Sequence, residues 1–146
     1  MATGEPPDYI SVAGSGEPTL HSGIGELIGK IKELTKIPVA VLTNGSLLYL
    51  PDVRTALAKA DLGIPSLDAG DETLFRYVNR PHPDIAFEDM VNGMIEFTRH
   101  FPGKVWLEVF LLSGITGMIA EARKIAAYAK QIGAQYRISK AALDEF

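Results

Sequence analysis

Apolar residues recur along the chain in two alternating rhythms. Short β-branched runs, "YISVA", "IPVAVL", "ADLGIPSL" and "KVWLEVFLL", predict strands, and the stretches between them carry a helical period. From Ser22 to Thr35 the residues Ile24, Leu27, Ile28, Ile31 and Leu34 form one stripe, with Glu26, Lys30, Lys32 and Glu33 outside it. Pro51-Asp52 starts a short helix that continues through Val53, Leu57 and Ala60. Another follows Asp71 to Val78, broken by "NRPHP", because the residue before a proline is pushed out of the helical region. Longer helices are predicted from Phe87 to His100 and around Ile119, Ala122, Ile125, Ala126, Ala129 and Ile132, the last ended by Gly133. "AQYRIS" predicts a fifth strand, followed by a helical tail to Phe146. Strand–helix alternation of this kind predicts an α/β fold with a mostly parallel sheet and right-handed crossovers. "IPVAVL", apolar on both faces, fits a strand covered on both sides, and Gly63 is read as weakening the third strand.

Each of the first three strands closes in a polar cluster: Gly14-Ser15-Gly16-Glu17-Pro18-Thr19, Thr43-Asn44-Gly45-Ser46, and Ser66-Leu67-Asp68-Ala69-Gly70-Asp71. Loops after parallel strands are where α/β folds hold ligands. Each cluster also has a purely structural reading. Glu17 can stabilise the next helix start. Asn44-Gly45 can form an Asx turn. Asp68 or Asp71 can cap a helix. Ser66 and Asp68, two apart, point to one side of an extended segment, where a carboxylate can bind the hydroxyls of a ribose. Glu108 lies in the most apolar strand and shares a face with Trp106 and Phe110. Its partner is expected to be a ligand or a basic side chain such as Arg76 or Arg80. His82, in "NRPHP", is either a loop gate over a site or a solvated residue. His21, His82 and His100 have no metal-ligand spacing, and no catalytic residue is assigned.

Composition narrows the function. At 146 residues one domain is expected, over residues 9–146, with residues 1–8 a disordered or cloning-derived lead-in. A net charge of −4 gives no basic footprint for nucleic acid. The apolar run Val105–Leu112 is too short to span a membrane, and the start has no signal-peptide pattern, so a cytoplasmic location is expected. The chain has no cysteine, which removes disulfides, thiolate metal sites and cysteine nucleophiles from it.

Taken in order, "AGSGEPTL", "LTNGSLL", "SLDAGDETLFRYVNRPHP" and "VWLEVFLLSGIT" resemble the radical SAM superfamily over residues 9–133. The third stretch is similar to a subgroup of Fe-S oxidoreductases related to wybutosine-synthesis enzymes. The resemblance implies an incomplete (β/α)6, partial TIM-like barrel with about four or five strands. It implies a parent enzyme that binds S-adenosylmethionine and a [4Fe-4S] cluster and cleaves the cofactor reductively to a 5′-deoxyadenosyl radical. It places Gly14, Ser15, Gly16 and Glu17 near the methionyl end, with Thr43 and Asn44 beside them, Ser66 and Asp68 near the ribose, and Leu111, Leu112 and Ile115 around the adenine. The family's CxxxCxxC loop is absent, so the chain is expected to be an inactive internal fragment that binds the cofactor weakly or not at all, with the cluster ligands held by the parent only. Two other readings stand beside it. In one, Glu17, Asp68 and Glu108 hold a divalent metal in a barrel lyase or hydrolase. In the other, the chain is a non-enzymatic nucleotide-binding α/β module. An exposed sheet edge also predicts a homodimer.

Overall fold

A computed structural model describes residues 4–115 and 118–141, with side chains up to residue 138. Five strands form one sheet in the order β1 (Ile10–Val12), β2 (Val39–Thr43), β3 (Leu62–Pro65), β4 (Lys104–Leu112) and β5 (Gln135–Ala141), and every neighbouring pair is parallel. Helices α1 (Ile24–Leu34), α2 (Pro51–Leu57), α3 (Glu72–Val78), α4 (Phe87–His100) and α5 (Ile119–Ile132) supply the crossovers. This is the expected α/β half barrel. The expected tail helix and Thr116-Gly117 lie outside the described residues, and Gly4–Asp8 are exposed and form no helix or strand.

One face of the sheet carries the core. Val39 and Val41 of β2 and Val105, Leu107 and Val109 of β4 are buried in one cluster with Ile24 and Ile28 of α1, Met94 and Phe97 of α4, and Ile125 and Ala129 of α5. The opposite face is concave, and helices do not cover it. Sheet curvature brings Tyr9, beside β1, to Trp106 of β4, with ring centroids 6.4 Å apart in an edge-on contact. β2 is buried on both faces, as expected, its second face sheltered by the sheet's own curl.

Two further corrections concern packing. The α1 stripe is only partly inward, since Leu27 is half exposed and Leu34 is 87% exposed. Gly63 does not weaken β3 but lets α4 approach: a Cβ there would lie 2.6 Å from the Phe97 ring. At α5, Ile119 and Ala126 are exposed, leaving Ile125, Ala129 and Ile132 as the buried stripe. Gly133 ends that helix in the left-handed region at φ 79°, where glycine carries no steric penalty.

Two carboxylates tie the sheet together. Asp61, just before β3, accepts from Val39 N (2.8 Å) and from Lys32 Nζ of α1 (2.7 and 2.8 Å). Burial pushes its carboxyl up, but the Lys32 and Val39 donors outweigh that and hold it below its ordinary value. Pro65 has no N–H to continue the ladder. Beyond it, Leu67 N donates to Glu108 O at 2.8 Å, and Asp68 Oδ1 accepts from Phe110 N at 3.2 Å. The Asp68 carboxylate thus takes the β4 amide that a longer β3 would have engaged.

Candidate functional site

The strand-end loops converge at the carboxyl edge of the sheet, and Glu17 joins the first two. Its Oε1 accepts from Thr19 N (3.2 Å), from Thr19 Oγ1 (2.7 Å) and from the Thr43 hydroxyl, and its Oε2 accepts from Asn44 N (2.7 Å). Thr43 Oγ1 in turn accepts from Gly45 N at 3.1 Å, and Thr19 and Thr43 are both buried. Glu17 also caps the 3₁₀ turn Pro18–Leu20. Asn44 forms the expected Asx turn, accepting from Ser46 N at 2.9 Å, with Gly45 at φ 75°. Both structural readings of these clusters are therefore realised, and they produce a rigid bracket. The bracket leaves Gly14, Ser15 and Gly16 exposed, with no loop hydrogen bond to other described residues. A Cβ at Gly16 would meet open space.

Ser66 and Asp68 are half-buried. Ser66 bridges Glu108 across the β3–β4 pair, so the two share the concave face. Burial pushes the Asp68 carboxyl up, the Glu108 charge adds to this, and the Phe110 N–H and Asn79 Nδ2 (3.5 Å) oppose it. Helix capping falls to Asp71, which accepts from Leu74 N at 2.8 Å and lies 3.2 Å from Lys124 Nζ. Those donors hold the Asp71 carboxyl low. Leu111, Leu112 and Ile115 are half-buried at the end of β4, Leu111 against the core, with Ile115 N turning back to Leu112 O at 3.1 Å.

Neither of the two arginines suggested as partners of Glu108 meets it. Arg76 is committed elsewhere, to Glu72 Oε1 (2.7 Å), Ile85 O (2.6 Å) and His82 O (3.2 Å). Arg80 lines a different cleft. The cationic neighbour of Glu108 is Arg137, which stands directly opposite it in the β4–β5 register. Sequence spacing carries no sign of that pair, because register across a parallel connection is set by the crossover helix. The three-carboxylate metal site is not formed either. Glu17 has both oxygens engaged by the protein, and no group of three or more His, Asp or Glu among the described residues is placed to hold a metal ion.

A cleft of about 430 Å³ opens beside the bracket, between Glu17, Asn44 and Ser46 on one side and Asn79, Arg80 and His82 on the other. The "NRPHP" segment forms one wall of this cleft, and the His82 side chain is solvated there, 68% exposed. Phe75 and Ile85 lie at its base.

An open all-parallel β/α half barrel of this kind recurs among solved structures. A domain of pyruvate-formate lyase-activating enzyme from Bacteroides vulgatus superposes with a TM-score of 0.56 at 14% identity, over 89% of this chain and 98% of that one. A radical SAM methyltransferase from Sphaerobacter thermophilus superposes with a TM-score of 0.66 at 18% identity, over 91% of this chain and 40% of that one. At these identities the likeness is one of fold. In sequence, the chain is 56% identical over 108 residues to a protein described as GTPase Obg from Brachyspira hyodysenteriae, covering 74% of this chain and 16% of that protein. It is 31% identical over 125 residues to a UPF0026 protein from Methanocaldococcus jannaschii and 36% identical over 129 residues to one from Helicobacter pylori. It spans only 39% and 41% of those two proteins. No family model matches. This chain contains no GxxxxGK[ST] phosphate loop.

Proposed function

We propose that this chain is part of the core of a radical SAM Fe-S oxidoreductase, of the subgroup related to wybutosine-synthesis enzymes. The observation that carries the reading is the Glu17 bracket. It spends the one carboxylate of the first loop on four internal donors and leaves the Gly14–Gly16 backbone open to a ligand. A loop of exposed backbone carbonyls suits the ammonium group of a methionyl moiety. The residues therefore fit S-adenosylmethionine, with Gly14, Ser15 and Gly16 as direct contacts and Glu17, Thr43 and Asn44 as the residues that position them. Ser66 and Asp68 present a hydroxyl and a carboxylate to a ribose, and Leu111, Leu112 and Ile115 offer an apolar wall to an adenine. When bound, the cofactor supplies a 5′-deoxyadenosyl group. The residues do not fit the iron–sulfur cluster, because the chain has no cysteine, so its ligands belong to other parts of the parent protein. By itself the chain binds the cofactor weakly and turns nothing over, since each tenfold of affinity is only about 1.4 kcal/mol of lost contacts.

The test is the full-length protein that contains this segment. Its reading frame should encode a CxxxCxxC motif ahead of the residue equivalent to Tyr9. The anaerobically purified protein should form 5′-deoxyadenosine from S-adenosylmethionine and a one-electron reductant. A full-length protein with neither motif nor product would overturn the reading. The metal-dependent alternative is disfavoured by the engagement of Glu17. No helix among the described residues is long and apolar enough to cross a membrane.

A further inference from the structure

The cleft beside the bracket carries a guanidinium that the cofactor reading does not use. Arg80 is exposed on its wall, and its guanidinium has no hydrogen-bond or ion-pair partner among the described residues. The carboxylate facing the same space, Glu17, keeps its charge but has both oxygens engaged by four neutral donors from its own loops.

The Arg80 segment is also held firmly. Arg76 donates to His82 O and Ile85 O, Glu72 Oε2 accepts from Phe87 N at 2.7 Å, and Asn79 Nδ2 reaches Asp68 Oδ2 at 3.5 Å. Within this frame Arg80 sits at φ 46°, in the left-handed region that side chains other than Gly, Asn and Asp rarely enter. Pro81 follows it, so the backbone that carries the exposed guanidinium is set on the cleft wall. A guanidinium fork matches the paired oxygens of a carboxylate or phosphate. The apolar base of the cleft and its volume suit a small organic body.

We propose that this cleft is a binding site for a small organic anion, with Arg80 recognising a carboxylate or phosphate group, Ser46 and Asn79 offering it further hydrogen bonds, and the apolar base taking the rest of the molecule. The site shares Glu17 and Asn44 with the reading above but requires neither S-adenosylmethionine, a cluster nor turnover.

The experiment is a titration of the ¹⁵N-labelled 146-residue chain with phenyl phosphate and phenylacetate, with 2-phenylethanol as the neutral probe and benzylamine as the cationic one. Saturable shifts are expected at the amides of Ser46, Asn79, Arg80 and His82, with either anion binding about tenfold or more tightly than benzylamine or the alcohol. The stronger of the two anions names the head group. Arg80→Asn keeps a residue that tolerates the left-handed region and removes the charge, and should weaken the anion about tenfold or more, while Arg80→Lys should restore most of it. Equal binding of benzylamine or the alcohol, undiminished anion binding in Arg80→Asn, absence of saturable shifts with both anions, or shifts centred away from these amides would each overturn the proposal.

Discussion

Glu17 is the residue whose loss should be felt furthest, and its cost can be worked from its partners. Glu17→Ala removes the cap of the 3₁₀ turn, about 1 kcal/mol. It also strips the acceptor from the Thr43 hydroxyl, which is buried, at about 1–3 kcal/mol for a stranded polar group. The Asn44 amide is exposed and turns to water at little cost. The sum is about 2–4 kcal/mol, or about 6–12 °C in Tm for a chain of this length. Glu17→Gln is the sharper probe. With its oxygen on the three-donor side, its amide nitrogen must face the Asn44 N–H, setting donor against donor. With the amide reversed, it faces the Thr19 N–H instead. Either way one contact is lost together with the charge that strengthens the others, at about 1.5–3 kcal/mol. Thermal melts and urea titrations of both variants, with Thr43→Val and the Glu17→Gln/Thr43→Val pair, close a double-mutant cycle. A coupling near zero, or a Tm for Glu17→Gln within about 1 °C of the parent, would refute the bracket as the element joining the two loops.

Gly63→Ala should cost about 1–3 kcal/mol in urea titrations, because the Phe97 ring can give way to the new methyl. Gly93→Ala should cost more, since its methyl would meet the backbone of Leu48 and Tyr49, which cannot; the reverse order would contradict the packing described. Asp68 tests the electrostatics. Its folded pKa is raised above 3.8, so the folded state holds the proton more readily, and this group's contribution to stability falls as pH rises through that window. Asp68→Asn keeps an acceptor for Phe110 N. Its stability relative to the parent should therefore improve as pH rises from about 3.8 through the raised folded pKa and level off above it, and a pH-independent difference would count against the raised carboxyl. At the sheet edge, Tyr136 and Ile138 of β5 are 59% and 55% exposed. Edge-mediated self-association should appear as a concentration-dependent mass in light scattering and be suppressed by Ile138→Lys; a strictly monomeric mass at high concentration would exclude it.

The order of strands and helices was legible in the sequence because each is specified locally. The period of α4, the Asp71 cap and the Gly133 stop depend on residues within a turn or two of one another, and all are realised. The loops that make the candidate site were legible for the same reason: glycine and small polar residues after an apolar run mark a strand end. Tertiary structure alone decided what those residues do. Two of the four donors to Glu17, Thr43 Oγ1 and Asn44 N, lie 26 and 27 positions away at the end of β2, brought there by the α1 crossover. The partner facing Glu108 is set by the β4–β5 register, so Arg137 stands opposite it while Arg76 turns to brace the loop before α4. Curvature of the sheet, which no single strand encodes, left one face to the helices and gave the other to Tyr9, Trp106 and the polar strand ends. Local propensity acts over a few residues, whereas register and curvature arise from all five strands packing at once, and that separates the elements the sequence determined from the site that only the folded chain assembled.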